Sequence, residues 1–196
     1  MKAVLASSNV GKLRELAAIL APLGYELVTQ SSLGIDTPPE TGITFAENAL
    51  LKARHAARLS GLPAIADDSG IEVDALGGRP GVYSARYAGE GATDPSNLRK
   101  LLDELGSTPA DQRSARYQCV IAFVRTAGDP SPLIAHGTWE GRILLEPRGT
   151  GGFGYDPIFQ PAGLDSSAAE LSAAEKNARS HRGEALRALA QLLRLP

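Results

Sequence analysis

Cysteine, methionine and tryptophan each occur once in the 196 residues, histidine occurs three times, and aromatic residues make up only 5%. A lone Cys119 cannot form an internal disulfide, which rules out a disulfide scaffold and suits a reducing, cytoplasmic setting. No Cys or His spacing of a zinc site is present, nor an HExxH helix, a GxSxG elbow or a Walker A loop. Apolar stretches fall far short of the ~20 residues a membrane helix needs, and the segment Ala3–Ala6 is too short for the core of a signal peptide. A net charge of −2 gives no broad basic face for duplex DNA, so neither nucleic acid nor membrane is an expected partner. Repeats and low-complexity tracts are also missing.

What remains is a chain that is 43% hydrophobic and 21% charged, the composition of a folded protein with one substantial core. At this length roughly 70% of the unfolded surface is buried, so a single domain over residues 1–196 is expected. Lys2–Ser7 predicts a buried strand, followed by a helical face of Leu13, Leu16, Ala17 and Leu20 that stops near Pro22 and Gly24. Tyr25–Thr29 fits a second strand. Thr44 and Glu47 form a capping box that opens a helix to about Ser60, with Gly61 just past its end. Ala64–Ala66 predicts a short strand feeding a turn at Asp67-Asp68-Ser69-Gly70, with Ile71, Val73 and Ala75 alternating beyond it. Asp94-Pro95 caps a helix with the stripe Leu98, Leu101, Leu102 and Leu105. Ala115–Arg125 is the clearest strand. Leu133–Leu145 predicts a hairpin turning near Glu140-Gly141. Ser172 and Glu175 cap a terminal helix, with a kink or break expected at His181–Gly183. Strands and helices interleave, which is the α/β class.

Four segments could carry chemistry. Ser7-Ser8-Asn9-Val10-Gly11-Lys12 joins a strand to a helix start, where free N–H groups and a lysine can face an anion. An ordinary βα turn with a surface lysine would read the same. Asp67-Asp68 places neighbouring carboxylates on opposite faces of the chain, so they should not act as one pair. Carboxylates suit Mg²⁺, and Glu40 is a possible second ligand. A plain turn fits the Asp-Asp-Ser-Gly run equally well. Gly149–Asp156 sets Phe153 and Tyr155 among glycines, either to stack on a base or to fill the core. Lys176, His181 and Arg182 form a cationic group near one helix, where a solvated face is the plain alternative. Cys119, inside the best strand, reads as an inert core thiol.

Taken in order, these segments resemble the inosine triphosphate pyrophosphatase family, the XTP/dITP diphosphatases. The likeness runs from Lys2 to about Gln191. It rests on Ser7–Lys12 with Leu13-Arg14-Glu15, Glu40-Thr41-Gly42 with Thr44-Phe45 and Glu47-Asn48-Ala49, and Ala66-Asp67-Asp68-Ser69-Gly70. Pro80–Tyr87, Gly152–Phe159, Ala169-Glu170-Leu171, Lys176-Asn177 and Ser180-His181-Arg182-Gly183 complete it. The resemblance implies a homodimer built on an elongated mixed sheet flanked by helices, in two lobes with a nucleotide cleft between them. It implies Mg²⁺-dependent hydrolysis of ITP, dITP and XTP to the monophosphate and pyrophosphate. Ser7, Ser8, Asn9, Val10, Gly11 and Lys12 would hold the triphosphate. Asp68 would be the base and, with Glu40, a metal ligand, and Ser69 would contact substrate. Phe153, Gly154, Tyr155, Asp156, Lys176, His181 and Arg182 would enclose base and phosphates. One departure is Ser8 where the family usually has Gly; a positive φ there would cost about 1–2 kcal/mol.

Overall fold

Period-2 apolar runs and capped helical stripes become a six-stranded sheet with helices packed on it. The computed structural model describes residues 1–7, 13, 16–17 and 20–194. Its strands are β1 (Lys2–Leu5), β2 (Glu26–Thr29), β3 (Ala64–Val73), β4 (Ser114–Val124), β5 (Leu133–Ile143) and β6 (Phe159–Pro161). Its helices are α1 (Phe45–Ser60), α2 (Asp94–Leu105), α3 (Ala173–Arg179) and α4 (His181–Leu192). Residues 13, 16, 17 and 20 are also helical. The strands hydrogen-bond in the order β2-β1-β3-β4-β5-β6. β1 runs parallel to β2 and to β3, while β5 and β6 are antiparallel, so the sheet is mixed as expected.

The chain forms two compact units. One contains Met1–Asp68, Cys119–Gly137 and Glu184–Pro196; the other contains Ser69–Gln118 and Thr138–Gly183. The first has a core of Leu5, Leu20, Ile65, Ile121, Phe123 and Leu189, with Cys119 buried among them. The second is built on Ile71, Leu101, Tyr117, Trp139, Ile158 and Phe159. Both capping boxes form, at Thr44 with Glu47 and at Ser172 with Glu175.

Four local expectations are corrected. Asp67–Gly70 is no turn, because β3 continues through it from Ala64 to Val73. The acidic run can stay in a buried strand because Asp68 finds protein partners in place of water. Leu133–Leu145 is not a hairpin, since β5 runs unbroken through Glu140-Gly141. Gly141 is there for closeness: a Cβ at this position would lie 2.3 Å from the Gln160 carbonyl oxygen on β6. The terminal break falls at Ser180, whose extended backbone ends α3, while Gly183 lies inside α4 with its N–H donating to the Ser180 hydroxyl. The cap of α2 is Thr93, one residue before Asp94, because its hydroxyl accepts the Ser96 N–H.

Candidate functional site

Helix α1 carries a polar pair on its buried face. The residues it buries are Phe45, Asn48, Ala49, Lys52, Ala53, Ala56 and Ala57, the spacing of one helical stripe. Asn48 and Lys52 are one turn apart and share that face. The Lys52 ammonium donates to Glu40 Oε1 at 2.7 Å and to Asp68 Oδ1 at 2.8 Å. The Asn48 amide donates to Asp68 Oδ2 at 3.3 Å and accepts the Gly42 N–H at 2.8 Å. One turn of helix therefore gathers the Glu40 loop and strand β3. Both ends of the Lys52–Asp68 pair are nearly closed to solvent, at 8% and 10% side-chain exposure, while Glu40 is 24% exposed.

These positions set the electrostatics. Burial pushes the Asp68 carboxyl above the ordinary carboxylate range; Lys52 pulls against it, Glu40 adds to the rise, and the Asn48 hydrogen bond opposes it. Burial works to lower the Lys52 pKa, but Asp68 and Glu40 together hold it above its usual value. The ammonium therefore stays charged, and Asp68 is a stronger base than a surface aspartate. A carboxylate has about four lone-pair sites, so an oxygen bonded to Lys52 or Asn48 can still accept a proton. Asp67 is buried as well, at 6% exposure, and alternation along β3 turns it to the other face. The Ser69 hydroxyl is buried and has no hydrogen-bond partner among the described residues.

Glu40 and Asp68 offer a divalent cation two carboxylates. Among the described residues no third His, Cys, Asp or Glu joins them. Such a donor set fits Mg²⁺, which binds through one or two carboxylates and completes its shell with water and substrate phosphates. It does not fit a cation that demands an all-protein cage.

A second cluster lies within the other unit. Phe153 is 57% exposed, with the Lys176 ammonium 4.4 Å and the Arg182 guanidinium carbon 5.7 Å from its ring centroid. Lys176 also pairs with the buried Asp156. The other roles divide. Asp156 accepts the Phe153 N–H at 2.8 Å and so folds the loop. Gly152 has φ +72°, and a Cβ there would fall 2.0 Å from the same carboxylate. The Gly154 N–H donates to Asp94 at 2.7 Å. Tyr155 is the core-filling aromatic: it is buried, and its hydroxyl donates to the Ser84 carbonyl at 2.8 Å. His181 stacks on Tyr117, with centroids 4.7 Å apart and planes 8° from parallel.

The structure thus brings Glu40 to Asp68, and Phe153 to Asp156, Lys176 and Arg182. Ser8, Asn9, Val10, Gly11 and Lys12 lie outside the described residues. Sequence reasoning missed Lys52 and the part played by Asn48. Their signal was available, because both interrupt an otherwise apolar helical stripe, and a polar residue on a buried face needs a partner.

A sequence profile of the Ham1 family matches residues 3–192. The chain is 60% identical to a dITP/XTP pyrophosphatase of Shigella flexneri over 193 residues, 98% of each chain. It is 58% identical to the dITP/XTP pyrophosphatase of Escherichia coli strain K12, again over 98% of each chain. Among solved structures, a HAM1 protein from Coxiella burnetii superposes with a TM-score of 0.94 at 50% identity, over 98% of both chains. A nucleoside-triphosphatase / dITP/XTP pyrophosphatase from Mycobacterium abscessus gives a TM-score of 0.80 at 44% identity, covering 99% of this chain and 100% of that one. The fold and the near-complete match agree: the chain belongs to the Ham1 family.

Proposed function

We propose that this protein is a nucleoside triphosphate pyrophosphatase that hydrolyses ITP, dITP and XTP to the monophosphate and pyrophosphate, clearing non-standard purines from the nucleotide pool. The single observation that carries the reading is the buried Asp68 held between Lys52 and Asn48 with Glu40 beside it. Relatives named dITP/XTP pyrophosphatase at up to 60% identity support the substrate class.

In this reading Asp68 takes a proton from water as the water oxygen bonds to the α-phosphorus. The bond from that phosphorus to the bridging oxygen breaks, and pyrophosphate leaves with the electron pair. Burial raises the basicity of Asp68 for this task, while Lys52 fixes its orientation and keeps it beside Glu40. Mg²⁺, held by Glu40 and Asp68, would neutralise phosphate oxygens and the leaving pyrophosphate. Ser7–Lys12 would hold the phosphate chain. Phe153 offers an exposed ring for a base, with Lys176, His181 and Arg182 supplying cations and donors, and Ser69 has a hydroxyl to spend on substrate. Positioning and electrostatics of this kind supply most of phosphoryl-transfer catalysis. We take the working form to be a cytoplasmic homodimer, following the family resemblance.

The test is pyrophosphate release from ITP, XTP, ATP and GTP, each with Mg²⁺ and with a chelator in its place. Release from ITP and XTP that far exceeds ATP and GTP and vanishes with the chelator is expected. Equal rates on all four, or full activity without divalent metal, would contradict the proposal.

A further inference from the structure

Tyr117 on β4 belongs to neither proposed cluster, yet its side chain meets the second one at two points. Its ring lies flat against the His181 imidazole and edge-on to Phe159, at 4.7 Å in each case. Its hydroxyl donates to Asp156 Oδ1 at 3.3 Å. Asp156 in turn bonds the Phe153 N–H and the Lys176 ammonium through its other oxygen. The hydroxyl is thus one bond from the loop bearing Phe153 and two from Lys176, while the ring fixes the plane of His181.

We infer that Tyr117 is a positioning residue for substrate recognition, holding the Phe153 loop through its hydroxyl and His181 through its ring. This rests on the reading of Phe153, Lys176 and His181 as substrate contacts. A core tyrosine needs its hydroxyl satisfied, but one loop carbonyl would suffice for that. Here the hydroxyl is joined instead to the carboxylate on which Lys176 and the Phe153 amide converge. The two halves of the side chain can be removed separately. Tyr117→Phe keeps the ring and the stack but removes the hydroxyl's hydrogen bond to Asp156 Oδ1. Tyr117→Leu removes the stack as well.

The experiment combines backbone amide exchange over residues 152–156, melting temperature, and steady-state kinetics on ITP and ATP. Tyr117→Phe should exchange the Phe153 amide, which is held by the Asp156 carboxylate that Tyr117 anchors, up to roughly tenfold faster, the factor for one ordinary hydrogen bond. Its KM for ITP should rise about five- to tenfold with kcat within about twofold, because the lost contacts serve binding and not the reacting atoms. Tyr117→Leu should in addition lower the preference for ITP over ATP, which Tyr117→Phe retains. If Tyr117→Leu does not fold, Tyr117→Phe decides alone. Wild-type exchange and KM in Tyr117→Phe would overturn the inference, and so would a lower melting temperature with unchanged KM, the mark of a purely structural tyrosine. Should the wild-type protein release no pyrophosphate from ITP, the functional reading fails, and the exchange rates alone decide whether Tyr117 holds the loop.

Discussion

Replacing Lys52 by methionine keeps the length and most of the volume of the side chain and removes its charge. Two hydrogen bonds disappear, of 2.7 Å to Glu40 and 2.8 Å to Asp68. Two carboxylates are then left near each other without a cation, one of them buried. Breaking a buried pair by removing one partner costs about 3–5 kcal/mol. The lower end applies here, because Glu40 is 24% exposed and water can reach it. A loss of about 3 kcal/mol corresponds to a melting temperature lower by roughly 6–12 °C for a protein of this size. The loss should also depend on pH. Without Lys52, Asp68 loses the attraction and hydrogen bond that lower its pKa, and burial and Glu40 raise it further. A folded-state pKa above the unfolded value means the folded variant binds the extra proton, so its stability falls as pH rises through that pKa. The gap between wild type and Lys52→Met should therefore widen as pH rises through the Asp68 pKa of the variant and shrink as pH falls below it. Urea unfolding at a series of pH values measures it. A difference below about 1 kcal/mol, the range of an exposed pair, or one that is flat with pH, would refute the description of Lys52 as the cation of a buried acidic pair.

Asp68→Asn should fold, because the amide is isosteric, and should lower kcat on ITP by at least ~100-fold, the scale of a lost general base; near-normal turnover would remove Asp68 from that role. Arg182→Ala should narrow the ITP-to-ATP ratio of kcat/KM, since a donor to the 6-oxo group that adenine lacks is worth roughly 5- to 150-fold; a lower rate with both ITP-to-ATP and ITP-to-GTP ratios unchanged would assign Arg182 to phosphate or structure. Asp74 is held down at about 2 by hydrogen bonds from Arg116 and Ser114. Its contribution is present above the unfolded value near 3.8 and is lost as pH falls toward 2. Asp74→Asn should therefore flatten the acid limb of stability between about pH 4 and 2 by less than ~1 kcal/mol, as its side chain is exposed; an unchanged limb in acid titration would contradict the pairing.

Features that sequence foretold are those with local causes. Thr44 with Glu47 and Ser172 with Glu175 cap helices through bonds spanning three residues. The leucine stripe of α2 likewise needs only helical spacing to bury Leu101 and Leu105. The misses have distant causes. Glu140-Gly141 resembles a turn because glycine is common there, but Gly141 answers to the Gln160 carbonyl on another strand. Asp67–Gly70 resembles a turn because nothing nearby in sequence satisfies a buried carboxylate; its partners Asn48 and Lys52 lie 20 and 16 residues away. Lys52 passes for a solvated helix residue until its place on the Phe45–Ala57 stripe is noticed. In the glycine loop, sequence left Phe153 and Tyr155 equivalent. Packing separates them, turning Tyr155 into the core and Phe153 outward.

Which bond of the triphosphate is broken at the site that Asp68, Lys52 and Glu40 build is read from the products. ITP is incubated with the wild-type protein and Mg²⁺, and the inosine nucleotides and phosphates are followed together by phosphorus NMR. Attack on the α-phosphorus gives IMP and pyrophosphate in equal amounts from the first time point, with no IDP. Accumulation of IDP with orthophosphate would place the attack on the terminal phosphorus and contradict the proposed reaction.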